Sequence, residues 1–150
     1  FRSSVYNDIG EIYSVQGDDF KALDYFKKSL KIVLSVYGEN HSQVSSIYDH
    51  IGEIYFAQKD YSKALYYFEE SLKIRLSLFG ENHPEVALSY YSIGSLYIIQ
   101  GDKSKALNYY EKSLKIRLSV YGENHPLTKE IMDLINVANS KVLQSPETTK

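Results

Sequence analysis

The stretch Ile51 to Pro84, IGEIYFAQKDYSKALYYFEESLKIRLSLFGENHP, occurs three times in this chain at a spacing of 42 residues. It returns as Ile93 to Pro126 and is preceded by Ile9 to Ser42, with no insertion between copies. A period of this size is the signature of stacked repeats, because one such unit cannot bury its apolar face alone. The 150-residue chain is therefore expected to form a short solenoid in which each unit touches its neighbours.

Within each copy the apolar positions recur at three and four residues, the spacing of one helix face. The first halves carry Tyr6, Ile9, Gly10 and Tyr13, then Tyr48, Ile51, Gly52 and Tyr55, then Tyr90, Ile93, Gly94 and Tyr97. A glycine inside a helix costs about 1 kcal/mol relative to alanine. Its return at one register predicts a helix contact too close for a Cβ. Longer second helices are expected over Asp19–Tyr37, Tyr61–Phe79 and Lys103–Tyr121. The breaks before them are Gly17-Asp18, Lys59-Asp60 and Gly101-Asp102. Lys59 lacks glycine's ease with positive φ, so a tighter or shifted turn is expected there. Gly38, Gly80 and Gly122 are placed as left-handed caps. Glu-Asn-His and then Pro84 or Pro126 follow, with His or Asn near the N-cap, while Ser42 stands in the proline's place and brings a capping hydroxyl.

These signals divide the chain into three repeats over 1–125 (about 1–41, 42–83 and 84–125). A C-terminal capping helix is expected over 126–143 and a disordered tail over 144–150. Leu127, Ile131, Leu134, Ile135 and Ala138 continue the apolar stripe, but Asn136 and Asn139 stand where Gly94 and Tyr97 stood. Phe1 is not a methionine, so the chain is expected to be a fragment of a longer protein.

Composition narrows the function. A formal net charge of −2 gives no basic field for nucleic acid or an anionic membrane. No apolar run approaches the ~20 residues of a membrane span. With no Cys, disulfide and thiolate chemistry are excluded, and a cytoplasmic location is expected. No phosphate loop or His-Glu-x-x-His string is present, and His41, His83 and His125 lie a repeat apart, too far to share one metal ion. The chain is thus read as no enzyme, with no cofactor and no metal. Lys27, Lys28, Lys31, Lys73, Arg75, Lys112, Lys115 and Arg117 are expected to form a solvated, basic-leaning face of the long helices.

Tyr48, Ile51-Gly52, Tyr55, Ala64 and Phe68, and their counterparts in the other copies, resemble the tetratricopeptide repeat (TPR). The 42-residue unit with a Gly-x-x-His-Pro connector is similar to the repeats of kinesin light chains and nephrocystin-type proteins. The resemblance implies an all-α fold: a TPR solenoid of three antiparallel helix pairs in a right-handed superhelix, plus a C-terminal capping helix. It also implies a protein-interaction scaffold that holds a peptide or protein segment in a concave groove lined by the first helices. Carried onto this sequence, the groove residues are Asn7, Glu11, Asp49, Glu53, Phe56, Leu88, Tyr91, Ser95 and Ile98. Their acidic and apolar character points to a basic-hydrophobic partner. Lysines of the carboxylate-clamping members are absent from these places, and of the paired asparagines of kinesin light chains Asn7 alone is matched. The alternatives are self-association through the first repeat, near Tyr6 and Tyr13, and a regulatory repeat segment of a larger protein.

Overall fold

The structure, a computed structural model, describes residues 2–140 and holds seven α-helices, with no strand among the described residues. Residues up to Gly80 make one compact unit and those from Glu81 a second. The first contains α1 (Arg2–Val15), α2 (Asp19–Tyr37), α3 (Ser42–Ala57) and α4 (Tyr61–Phe79). The second contains α5 (Pro84–Ile99), α6 (Lys103–Tyr121) and α7 (Pro126–Asn139). The three long helices have the bounds read from sequence. The expected tail at 144–150 and the last residues of the expected capping helix, 141–143, lie outside the described residues.

In the first unit α1 packs on α2 and α3 on α4, while α2 also meets α3. Its core gathers Ala22, Phe26, Val33, Val44, Ile47, Ile51, Ile54 and Ile74. Burying each such large side chain fully is worth about 1.5–3 kcal/mol. In the second unit α5 packs on α6 and α6 on α7.

The mid-helix glycines occupy close contacts, as their register implies. A Cβ on Gly10 would lie 2.8 Å from the Phe26 ring, one on Gly52 2.7 Å from Phe68, and one on Gly94 2.7 Å from Tyr110. A small residue on the facing helix completes each approach. Ala22, Ala64 and Ala106 are fully buried. Two turns further on, Ser29, Ser71 and Ser113 donate their hydroxyls across to the carbonyls of Ser3, Ser45 and Ala87. Each bond satisfies a buried hydroxyl that would otherwise oppose the close packing. A second theme is a tyrosine of the long helix set between two of the first helix. Tyr25 meets Tyr6 and Tyr13, Tyr67 meets Tyr48 and Tyr55, and Tyr109 meets Tyr90 and Tyr97.

The turns are alike in all copies, which corrects the expectation at Lys59. Lys59 adopts φ 64, beside φ 80 at Gly17 and φ 83 at Gly101, so the turn is neither tightened nor shifted. What holds it is the residue that follows. Asp18, Asp60 and Asp102 accept from the backbone N–H of Lys21, Lys63 and Lys105 as N-caps, an arrangement the sequence reading left unassigned. The side chains of these same lysines lie over Tyr13, Tyr55 and Tyr97, about 5.2–5.4 Å from the ring centroids.

The long helices end on glycines of positive φ, but the conformation differs from the expected left-handed helical one. Gly38 has φ 81 and ψ −178, and Gly80 φ 79 and ψ −177. This extended, positive-φ region is essentially closed to residues with a Cβ. The next helix starts on histidine each time. Nδ1 of His41, His83 and His125 accepts from the backbone N–H of Gln43, Glu85 and Leu127. Ser42 is already the first helical residue, so the cap in the first connector is His41 and not the serine hydroxyl. His41 and His125 also stack on Tyr37 and Tyr121 at 4.3 and 4.2 Å.

Candidate functional site

The groove residues fall into both units. In the first unit, Asn7 and Glu11 stand one turn apart on α1, and Asn7 Nδ2 donates to Glu11 Oε1 at 3.1 Å. The same carboxylate oxygen lies 3.2 Å from Nε2 of His50 on α3. His50 is held by stacking flat on Phe26, with ring planes 3° apart and centroids at 5.0 Å. A short polar chain thus links α1 to α3 through Asn7, Glu11 and His50. His50 was absent from the residues expected for the site, although its register beside Asp49 was visible.

Asp49 is placed differently from a free groove carboxylate. Its Oδ2 lies 2.6 Å from the Arg75 guanidinium, and the two side chains keep 15% and 3% of their exposure. Burial raises the Asp49 carboxyl above its ordinary range, with the Arg75 charge opposing that shift. Breaking such a pair leaves an uncompensated charge and costs about 3–5 kcal/mol. Asp49 is therefore spent on structure. Arg75 and Arg117 are both buried, which removes them from the expected basic face of the long helices. The signal was the repeat register, because Val33 occupies the equivalent position in the first copy and is buried.

Glu53, one turn beyond Asp49, remains exposed. The protein atoms crowded around it raise its carboxyl above the ordinary range. His50 opposes the shift, while the like charges of Asp49 and Glu11 add to it. Phe56 lies at the other end of α3, half-buried and edge-on to Tyr61 at 5.8 Å. The first unit thus brings Asn7, Glu11 and Glu53 into one electrostatic neighbourhood and sets Phe56 near the α3–α4 turn.

In the second unit the expected residues are more committed to packing. Ser95 Oγ and Tyr110 Oη share a hydrogen bond of 3.0 Å. The Tyr91 ring lies 5.4 Å from the Arg117 guanidinium carbon. Nη1 of Arg117 donates to the Leu127 carbonyl at 2.9 Å and lies 3.6 Å from Glu130. Leu88 is 43% exposed, and Ile98 borders a cavity of about 110 Å³ with Gly101, Lys103 and Ala138. Among the described residues no helix is long and apolar enough to cross a membrane.

A helix pair locked by a mid-helix glycine against an aromatic ring, and repeated at one period, defines an all-α repeat protein. The family model for the tetratricopeptide repeat matches residues 1–77 and again 47–119. The chain belongs to the tetratricopeptide repeat family. Comparison with curated proteins found no match. Among solved structures it is similar to BtubC (BKLC) from P. vanneervenii, with a TM-score of 0.83 at 24% identity, over 91% of this chain and 54% of that one. It is also similar to the nearly identical TPR-like repeats of a Podosopora anserina kinesin light chain candidate, with a TM-score of 0.79 at 16% identity. That match covers 91% of this chain and 65% of the other. The N-terminal domain of stress-induced protein-1 (STI-1) from C. elegans aligns with a TM-score of 0.62 at 20% identity, over 88% of this chain and 93% of that domain. The chain thus spans about half to two thirds of the first two relatives. At these identities the likeness is one of fold.

Proposed function

We propose that this chain is a protein-interaction module whose α1–α3 face takes a partner segment bearing Arg or Lys beside bulky apolar side chains. One observation carries the reading. Glu11 and Glu53 stay accessible on neighbouring helices, while the nearby cation, Arg75, is buried and spent on Asp49. The face is therefore net acidic, and opposite charge on a partner is favoured there. Phe56 supplies an aromatic contact further along α3. The counterpart residues Leu88, Tyr91, Ser95 and Ile98 extend the proposal to the α5 face, with Leu88 offering the most exposed apolar surface. A short peptide that must be ordered on binding is expected at a Kd of roughly 1–100 μM.

The test uses fluorescence anisotropy with short labelled peptides of alternating Arg and Leu, against counterparts with Glu for Arg. The double variant Glu11→Lys/Glu53→Lys should weaken the basic peptide by about tenfold or more. Asp49 is left unchanged, since charge reversal there breaks the Arg75 pair. Equal affinity of wild type and double variant removes the reading.

A second reading has its own observation. Val5, Ile12 and Val15 on α1 are 53%, 56% and 90% exposed, whereas Ile47 and Ile54, the counterparts of Val5 and Ile12 on α3, are 3% exposed. This stripe, and not Tyr6 and Tyr13, which pack on Tyr25, is the surface available for stacking on another helix pair. Light scattering over a concentration series checks it. Dimer formation abolished by Ile12→Glu supports self-association, and a constant monomer mass counts against it.

A further inference from the structure

The three repeats differ at one interior position, and the difference leaves a cavity. Val33, Arg75 and Arg117 share one register. Where the residue is arginine, the guanidinium fills the space beside the first helix. Arg75 meets Asp49, and Arg117 meets Tyr91, the Leu127 carbonyl and Glu130. Stepped back by two repeat periods, Tyr91, Leu127 and Glu130 correspond to Asn7, Gln43 and Ser46. All three of these, Asn7 on α1 and Gln43 and Ser46 on α3, line a cavity of about 180 Å³, with Val33, Ser29 and Ile47 among its other walls. Val33, Ser29 and Ile47 are buried and form the floor, while Gln43 and Ser46 are exposed at the rim.

The lining carries no cation, and it offers acceptors. Asn7 donates through Nδ2 to Glu11, and its buried Oδ1 has no hydrogen-bond partner among the described residues. An unpaired buried acceptor costs about 1–3 kcal/mol. The Gln43 carbonyl holds the place from which the Leu127 carbonyl accepts in the last repeat, and a carbonyl has a second lone pair for such a donor. Glu11, bonded to Asn7, adds negative charge beside the cavity.

We propose that this cavity receives the guanidinium of a partner's arginine, which completes in the first repeat the arrangement that Arg75 and Arg117 make within the chain. The proposal rests on the reading of the α1–α3 face as a binding surface and assigns the cation of that partner to arginine. A planar fork of five N–H donors fits several acceptors set at different angles, and a lysine ammonium does not reproduce it.

Amide chemical shifts of the full chain, titrated with N-acetyl-arginine methylamide, with its lysine analogue and with sodium phosphate, test it. The arginine probe should give saturable shifts centred on Ser4, Asn7, Gln43 and Ser46, and the lysine probe should bind at least about threefold more weakly. Val33→Arg should abolish those shifts and raise the melting temperature by filling the cavity from within. Asn7→Asp, which copies Asp49, should tighten the arginine probe severalfold and keeps the test open should Val33→Arg fold poorly. The proposal is overturned by absence of shifts at these residues, by shifts that persist in folded Val33→Arg, or by phosphate acting there in arginine's place. Loss of peptide binding in Glu11→Lys/Glu53→Lys together with full binding in Val33→Arg overturns the cavity assignment alone and leaves the surface reading standing.

Discussion

At the scale of single residues, Gly52 and Lys59 show two different demands on a backbone. Gly52 is required for space. An added Cβ would meet the Phe68 ring at 2.7 Å, and that ring is buried among its neighbours with little room to retreat. Gly52→Ala should destabilise the chain by about 1–3 kcal/mol, the usual range for overpacking, as read by chemical denaturation. Combining it with Phe68→Leu should recover part of the loss, which a general helix effect would not. Lys59 shows the reverse case, a side chain where glycine belongs. At φ 64 it sits in the region that costs L-residues about 1–2 kcal/mol, and its counterparts are Gly17 and Gly101. Lys59→Gly is expected to stabilise the protein by up to about 1 kcal/mol, offset in part by the greater freedom of an unfolded glycine. A lower denaturation midpoint for this variant would show that the Lys59 side chain contributes more than its backbone costs.

At the scale of elements, each of the helices α2 to α7 begins on a side chain that accepts from its second or third backbone N–H. Asp does this for the long helices and His for those after the connectors. His41 does so with Nδ1, which places the ring proton on Nε2. His41→Ala should cost about 0.5–2 kcal/mol and His41→Asp should restore most of it, because a carboxylate caps the same N–H and suits the positive end of the helix. A failure of Asp to rescue would assign the loss to stacking on Tyr37 instead. The bounds of α2, α4 and α6 were legible in the sequence because an apolar period of three and four residues runs between an Asp start and a Gly stop. The arginines were misread at this same scale. Charge placed Arg75 and Arg117 on a solvated face, whereas comparing them with Val33 at one register places them inside. A repeat sequence holds that comparison within itself, and the register outweighs the charge.

At the scale of the whole molecule, the candidate site could be sketched from sequence as a helix face but not as a network of contacts. Helix periodicity identifies which side of α1 and α3 is spared from packing. It cannot tell that Asp49 turns to Arg75 while Glu53, one turn on, keeps to solvent, because the outcome depends on a residue of α4 that the period of α3 does not contain. The consequence is a pH dependence of definite sign. Partial desolvation by the surrounding protein and like charge raise the Glu53 carboxyl in the folded state, so the folded protein binds that proton more tightly than the unfolded chain does. The penalty of the ionised group is absent below the unfolded carboxylate range and complete above the folded value. Glu53→Gln should therefore raise the melting temperature at neutral pH by about 1–2 °C, in line with the ±0.5 kcal/mol of surface substitutions. The gain should vanish as pH falls through the carboxylate range. A gain of equal size at acidic pH would trace it to packing and not to charge.

The connectors also govern whether neighbouring molecules can trade pieces. Exchange of a helix pair between two chains requires a bent connector to straighten into continuous helix. Pro84 and Pro126 bar that route, since a proline inside such a rod lacks its N–H and clashes with the carbonyl one turn earlier. Between α2 and α3 the same position is Ser42, and a straightened helix is opposed there by the preference of Gly38, the His41 cap and the stacking of His41 on Tyr37, with no proline. Interlocked dimers formed at high concentration would therefore open at residues 38–42, and a proline at position 42 would close that door.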